Sequence, residues 1–194
     1  MKYKTIYLDP PWQICTGGTS VRKKTNIKHK GWGTPQNHYP VMKIRDIIEE
    51  LQFVKDIIDD QCHMYMWVVN NKIEDALLLI NELGFNYITN ICWVKDRIGM
   101  GQYFRGQHEL LFFCRKGDPM PYKYKNGKKI TISSVVKEPK DIHSKKPNIF
   151  YNIIEDISYG PYIELFARNR KDGWHSWGPH CNINDLIDYK YKKI

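Results

Sequence analysis

The chain has 194 residues, ordinary apolar content (42%), abundant aromatics (13%) and a formal net charge of +9. That length suits a single domain with a sizeable core, and that composition excludes global disorder. The excess of Lys and Arg favours a polyanionic partner, nucleic acid first; no basic amphipathic helix points to a membrane surface, and no apolar stretch is long enough to span one.

The first strand covers residues 3–8 and runs directly into Asp9-Pro10-Pro11-Trp12. An acidic residue, two prolines and an aromatic at the carboxyl end of a strand make a rigid acceptor cradle beside a stacking plate. The Asp9 carboxylate suits one N–H of an exocyclic amino group on a planar base, and the Pro10 carbonyl suits the other. Pro10 keeps Asp9 extended, and neither proline offers a competing N–H. Trp12 offers a face on which a base can stack. The bland alternative is a proline-rich turn that merely ends a strand.

Residues 9–40 read as a long loop with Gly17-Gly18 and Gly31-Trp32-Gly33, and loops of that length inside a compact domain are commonly functional. Its cluster of Arg22, Lys23, Lys24, Lys28 and Lys30 suits phosphates and is assigned to substrate binding with Trp12, against the alternative of a solvated face. Apolar periodicity predicts a helix over 43–60 and a buried strand over His63–Val69. Asn71, with Glu74 three residues on, is placed to cap a second helix whose stripe is Ile73, Ala76, Leu77 and Ile80, and Gly84 ends it. Strands follow near Tyr87–Val94 and Glu109–Arg115, separated by the glycine-containing loop 96–107.

Residues 117–146 are basic and tyrosine-bearing, a hairpin-like excursion. A helix opening near Pro147 buries Ile149, Phe150, Ile153, Ile154 and Ile157; strands follow at Tyr162–Ala167 and Trp174–Trp177. The alternation predicts an α/β fold, one domain over 1–194, with a mostly parallel sheet and helices on both faces. Ligands in such sheets gather at the carboxyl strand ends near a topological switch point, so Asp9 and Arg168 are expected to face one cleft.

Seven segments in order carry a specific resemblance: Asp9-Pro10-Pro11-Trp12, Tyr39-Pro40-Val41-Met42, Met66-Trp67-Val68, Trp93-Val94-Lys95, Gln107-His108-Glu109, Ser144-Lys145-Lys146-Pro147 and Ile163-Glu164-Leu165-Phe166-Ala167-Arg168. From Lys2 to about Gly178 the chain resembles the MT-A70 family of adenine-N6 methyltransferases. The resemblance implies a Rossmann-like fold in permuted order, with the catalytic motif before the cofactor strand. It also implies S-adenosyl-L-methionine as cofactor and methyl transfer without a metal. Asp9, Pro10, Pro11 and Trp12 would be catalytic. Asp9, Lys146, Glu164, Phe166 and Arg168 would meet the cofactor, Lys146 facing its carboxylate or ordering the loop over the site, and Glu164 and Arg168 along its ribose and methionine. Loops 13–40 and 96–107 resemble gate loops over base and cofactor. One departure stands out: Trp177-Gly178 is followed by Pro179-His180 where members often carry Asn and a polar residue, so His180 or Asn182 is the expected substitute.

Competing signals are weaker. Gly99-Met100-Gly101 with Gly106 has the wrong spacing for a dinucleotide loop, and His175, His180 and Cys181 lack the second cysteine pair of a zinc site. Five scattered cysteines, mostly in apolar runs, read as reduced core residues, and with no signal-peptide pattern the expected location is the cytoplasm. The leading expectation is an adenine-N6 methyltransferase acting on DNA, with the base flipped into the pocket. RNA as substrate, and a non-catalytic partner subunit of the same fold, are the alternatives. A homodimer or heterodimer is compatible with the sequence. Target reading is expected from loops such as 117–146 or from a partner.

Overall fold

A computed structural model describes residues 1–13, 41–99, 101, 103–119, 123–125, 128–140, 145–178 and 183–184. The strands are β1 (Tyr3–Leu8), β2 (Ile58–Val68), β3 (Asn86–Val94), β4 (His108–Lys116), β5 (Tyr124–Lys125), β6 (Lys128–Lys129), β7 (Val135–Lys137), β8 (Tyr162–Leu165), β9 (Trp174–Gly178) and β10 (Ile183–Asn184). The helices are α1 (Ile44–Glu50), α2 (Val54–Ile57), α3 (Ile73–Glu82) and α4 (Ile149–Ile157). Eight strands form one sheet in the order β10-β9-β8-β1-β2-β4-β3-β7, while β5 and β6 pair as a small hairpin inside the 117–146 excursion. Strands β9, β8, β1, β2, β3 and β7 share one direction; β4 and β10 run against it.

Period-two alternation sends neighbouring residues to opposite faces. Ile6, Leu8, Met64, Met66 and Val68 pack beneath α1–α3 through Ile47, Val54, Ala76, Leu79 and Ile80. The alternate residues Tyr7, Tyr65 and Trp67 pack with Trp93 and Leu111 against Phe150, Ile153 and Ile154 of α4. Both faces of the central strands are therefore covered, as parallel pairing requires. This is the Rossmann-like methyltransferase architecture the resemblance implies. Among the described residues no helix is long and apolar enough to cross a membrane.

Some boundaries differ from the sequence reading. The expected helix over 43–60 breaks at Leu51 and stops at Ile57, because Ile58 already pairs with Tyr3 and starts a longer β2. Asn71 does not cap α3: a 3-10 turn covers Asn70–Lys72, and Glu74 and Asp75 instead place negative charge at the helix amino end. The buried face of α3 is Ala76, Leu79 and Ile80, leaving Ile73 and Leu77 partly exposed. In α4, Ile149 is exposed and Ile157 half-buried. Gly84 does end α3, at φ +77, with the Phe85 N–H donating to the Ile80 carbonyl at 3.0 Å.

Candidate active site

From β1 the chain moves outward through β2 and β3 with α1–α3 on one face, then returns by α4 on the other face to β8 and β9. The direction of winding reverses between β1 and β8. Leu8 is in register with both Met66 and Leu165, so Asp9 and Phe166 emerge side by side at that switch point. Antiparallel β4 begins at the same edge, because Leu110 pairs with Val68 and Glu109 with Trp93. Lys95 follows directly after β3. Chain segments far apart in sequence thus deliver their charged residues to one place.

Those charges alternate in sign. The Lys146 ammonium lies 3.1 Å from Oδ2 of Asp9 and 3.0 Å from Oε2 of Glu109. The other oxygen of Glu109 pairs with Lys95. Arg168 reaches the same Oδ2 of Asp9 at 3.4 Å. Two indoles add to this: Lys146 stands 5.1 Å from the centre of the Trp67 ring, and Lys95 stands 4.8 Å from that of Trp93. Burial alone would push Glu109 up, but Lys146 and Lys95 pull it down to about 2. Burial would likewise lower Lys146, and Asp9 and Glu109 overcome it to raise the ammonium. The carboxylate and ammonium forms therefore hold one another in place.

Glu164, in the middle of β8, behaves differently. Burial raises it to about 7; the Tyr151 hydrogen bond and Arg168 pull it down without cancelling burial and the nearby Asp9 charge. The Tyr151 hydroxyl donates to its Oε2 at 2.7 Å. Phe166 then takes φ +58, a left-handed conformation rare for a bulky residue. That turn ends β8 two residues earlier than expected. It lets the Ala167 N–H donate to the Trp177 carbonyl at 3.0 Å, and Arg168 swings back to Asp9. Gly178 is required beside it, since a Cβ there would lie 2.2 Å from the Ala167 carbonyl oxygen.

The Asp9-Pro10-Pro11-Trp12 cradle is tighter than the sequence alone suggests. The Trp12 N–H donates to the Pro10 carbonyl at 2.8 Å, closing a three-residue turn. A carbonyl oxygen has two lone pairs, so Pro10 keeps one for a ligand. Trp12 corrects one expectation. Its ring is only 5% exposed, and its indole N–H donates to the Trp67 carbonyl at 2.9 Å, so it anchors the turn in the core and presents no open stacking plate. The cause is local pairing: the Met42 N–H donates to the Pro11 carbonyl and Gln13 donates back to Met42, drawing Trp12 under the chain.

The structure thus brings together Asp9, Pro10, Lys146, Glu164, Phe166 and Arg168. Arg22, Lys23, Lys24, Lys28, Lys30, Trp32, His180 and Asn182 lie outside the described residues. Glu109, Lys95 and Tyr151 join the site without having been singled out as site residues. Glu109 and Lys95 carry a signal in hindsight: each is a charge directly flanking a short apolar run, Leu110–Cys114 for Glu109 and Ile91–Val94 for Lys95. Tyr151 carries none beyond standing one residue after a core phenylalanine.

Residues 3–180 match the family model MT-A70. The chain belongs to the MT-A70 family. It is 31% identical to "Type II methyltransferase M.MunI" of Mycoplasma sp over 95% of its own length and 80% of that protein's. It is 24% identical to "N6-methyladenosine RNA methyltransferase MTA1" of Cryphonectria parasitica over 91% of its length and 51% of that protein's. A "Putative N(6)-adenosine-methyltransferase MT-A70-like" of Medicago truncatula is 28% identical over 64% of the chain, which spans 21% of that relative. The resemblance carried by the ordered segments is therefore a family membership.

Proposed function

We propose that this MT-A70 chain transfers a methyl group from S-adenosyl-L-methionine to the N6 nitrogen of adenine in DNA. The observation that carries the reading is the Asp9 carboxylate, 17% exposed at the switch point, with the Pro10 carbonyl beside it and two cations on its Oδ2. The donor set fits the cofactor. Glu164 and Asp9 offer acceptors for a ribose diol and an ammonium, and Arg168 and Lys146 offer cations for a carboxylate. When bound, the cofactor supplies an electrophilic methyl on a positively charged sulfur.

The chain's own part is orientation. A carboxylate has about four lone-pair sites, so Asp9 retains capacity for one amino N–H while it holds its cations. The free lone pair of Pro10 accepts the second N–H. Held by both hydrogens, the nitrogen turns its own lone pair out of conjugation with the ring. Asp9 or water would accept the surplus proton that the nitrogen carries once it has taken up the methyl group. Lys146 and Arg168 fix the carboxylate throughout. A non-catalytic subunit would have no use for an acceptor pair of this kind.

DNA is preferred because the relative covered along most of both chains is a type II methyltransferase, while the RNA methyltransferase is matched along about half its length. The protein, incubated with labelled cofactor and separately with duplex DNA, single-stranded DNA and RNA, is expected to give labelled N6-methyl-2′-deoxyadenosine from DNA after digestion to nucleosides. Label only in RNA would transfer the reading to RNA. Sedimentation of the same sample reports whether it works as a monomer or a homodimer.

A further inference from the structure

The connection between β3 and β4 is a tied arm with aromatics at its tip. Its neck closes where the Lys95 N–H donates to the Gln107 carbonyl at 2.8 Å, and again where Gly99 donates to Gly106 at 2.6 Å. The Arg105 Nε–H donates to the Gly99 carbonyl at 2.6 Å and cinches the far end. At the tip the backbone folds so tightly that a Cβ on Gly101 would lie 2.0 Å from the Phe104 carbonyl oxygen. Tyr103 sits at φ +57, again a conformation unusual for a bulky residue. The tip is a specific shape.

What that shape presents is unusual. Tyr103 is 103% exposed and Phe104 87%, with Ile98 at 59% nearby in the same arm. These are the most exposed aromatic rings among the described residues. Exposed apolar groups of this size, set among charges, mark an interaction surface. Two arginines set the charge: the Arg97 side chain is 87% exposed beside Asp96, and Arg105 is exposed as well. The arm also starts at the candidate site. Lys95 at its neck is the outer member of the Lys95–Glu109–Lys146–Asp9 chain of ion pairs.

We infer that Tyr103 and Phe104 enter the nucleic-acid stack next to the target adenine and hold it open while the base occupies the site. The inference rests on the proposed function and names how its substrate is engaged. Removing a base from a duplex costs unstacking free energy, and apolar or aromatic wedges recover part of it. Aromatic rings stack on any base, and the flanking arginines meet phosphates in a chain of net charge +9.

The test compares the protein with its Y103A/F104A variant on two duplexes, one with the target adenine paired and one with it opposite an abasic site. Stacking lost per base corresponds to roughly a tenfold effect or more. The variant is expected to lose at least about tenfold more kcat/KM on the paired target than on the unpaired one. A 2-aminopurine at the target should brighten with the wild-type protein and far less with the variant. Equal rates for the two proteins on both duplexes would overturn the inference while leaving the methyltransferase reading intact. So would an unchanged rate accompanied by a change in sedimentation, which would make the tip a protein contact. A wild-type protein that methylates no adenine in any nucleic acid would instead overturn the proposed function itself.

Discussion

The ammonium of Lys146 stands 3.1 Å from the carboxylate of Asp9, joining a residue at the end of β1 to one just before α4. On its other side the same ammonium meets Glu109 at 3.0 Å. All three side chains are less than a fifth exposed, so none of these charges is well solvated. Lys146→Met leaves two carboxylates facing each other without a cation between them. Removing one partner of a buried pair typically costs about 3–5 kcal/mol. We expect urea unfolding at neutral pH to show a loss near the lower end of that range, with methyl transfer abolished. A loss under about 1 kcal/mol would mean that water screens the cluster.

Glu109 makes that cluster pH-dependent. Its carboxyl is held down to about 2, below an ordinary value of 4.5. The folded state therefore releases this proton more readily than the unfolded chain, and the stabilisation is complete above about pH 4.5. It disappears as the pH falls through 2. Glu109→Gln is expected to be less stable than wild type at pH 7, and the gap should close on acidification. A gap that stays constant from pH 7 to pH 2 would show that Glu109 acts through shape alone.

Glu164 works with the opposite sign. Its carboxyl is raised from 4.5 to about 7, so the folded state keeps a proton that the unfolded chain has lost. Stability from this group is greatest below about pH 4.5 and declines as the pH rises toward 7, by up to about 3 kcal/mol if the shift is realised in full. Glu164→Gln should flatten that slope in unfolding experiments from pH 4.5 to pH 8. Ionised Glu164 is also the better acceptor for ribose hydroxyls, so calorimetric affinity for S-adenosyl-L-methionine should rise through pH 7 in the wild type and not in the variant.

Gly178 tests the turn that carries Arg168. With a Cβ 2.2 Å from the Ala167 oxygen, Gly178→Ala must push the end of β8 away. Overpacking of this kind costs about 1–3 kcal/mol. We expect a lower Tm together with weaker cofactor binding, because Ala167 and Arg168 move as one. A lower Tm with unchanged affinity would separate the turn from the site.

Much of this fold was legible in the sequence because hydrophobic periodicity reports which face of an element is buried. The strands β1, β3, β4 and β9 and the α4 core residues Phe150, Ile153 and Ile154 follow from it, while the Gly84 stop follows from glycine's freedom at positive φ. Periodicity does not report partners. Asp9 and Arg168 are 159 residues apart, and Glu109 reaches Lys146 only because β4 enters the sheet antiparallel between β2 and β3. Trp12 shows the other limit. Its place in a loop suggested an open ring, but the bridge to Met42 buries it, and a hydrogen bond across 55 residues fixes it there. Family resemblance supplied Lys146, Glu164 and Arg168, which local pattern alone could not have grouped.

The most direct measurement counts N6-methyladenine formed in duplex DNA by the wild-type protein and by Asp9→Ala, with cofactor affinity and Tm recorded on the same preparations. Orientation by Asp9 predicts abundant N6-methyladenine from the wild type and a loss of at least about a hundredfold in the folded variant. Undiminished methylation by Asp9→Ala, or label appearing on cytosine, would contradict it.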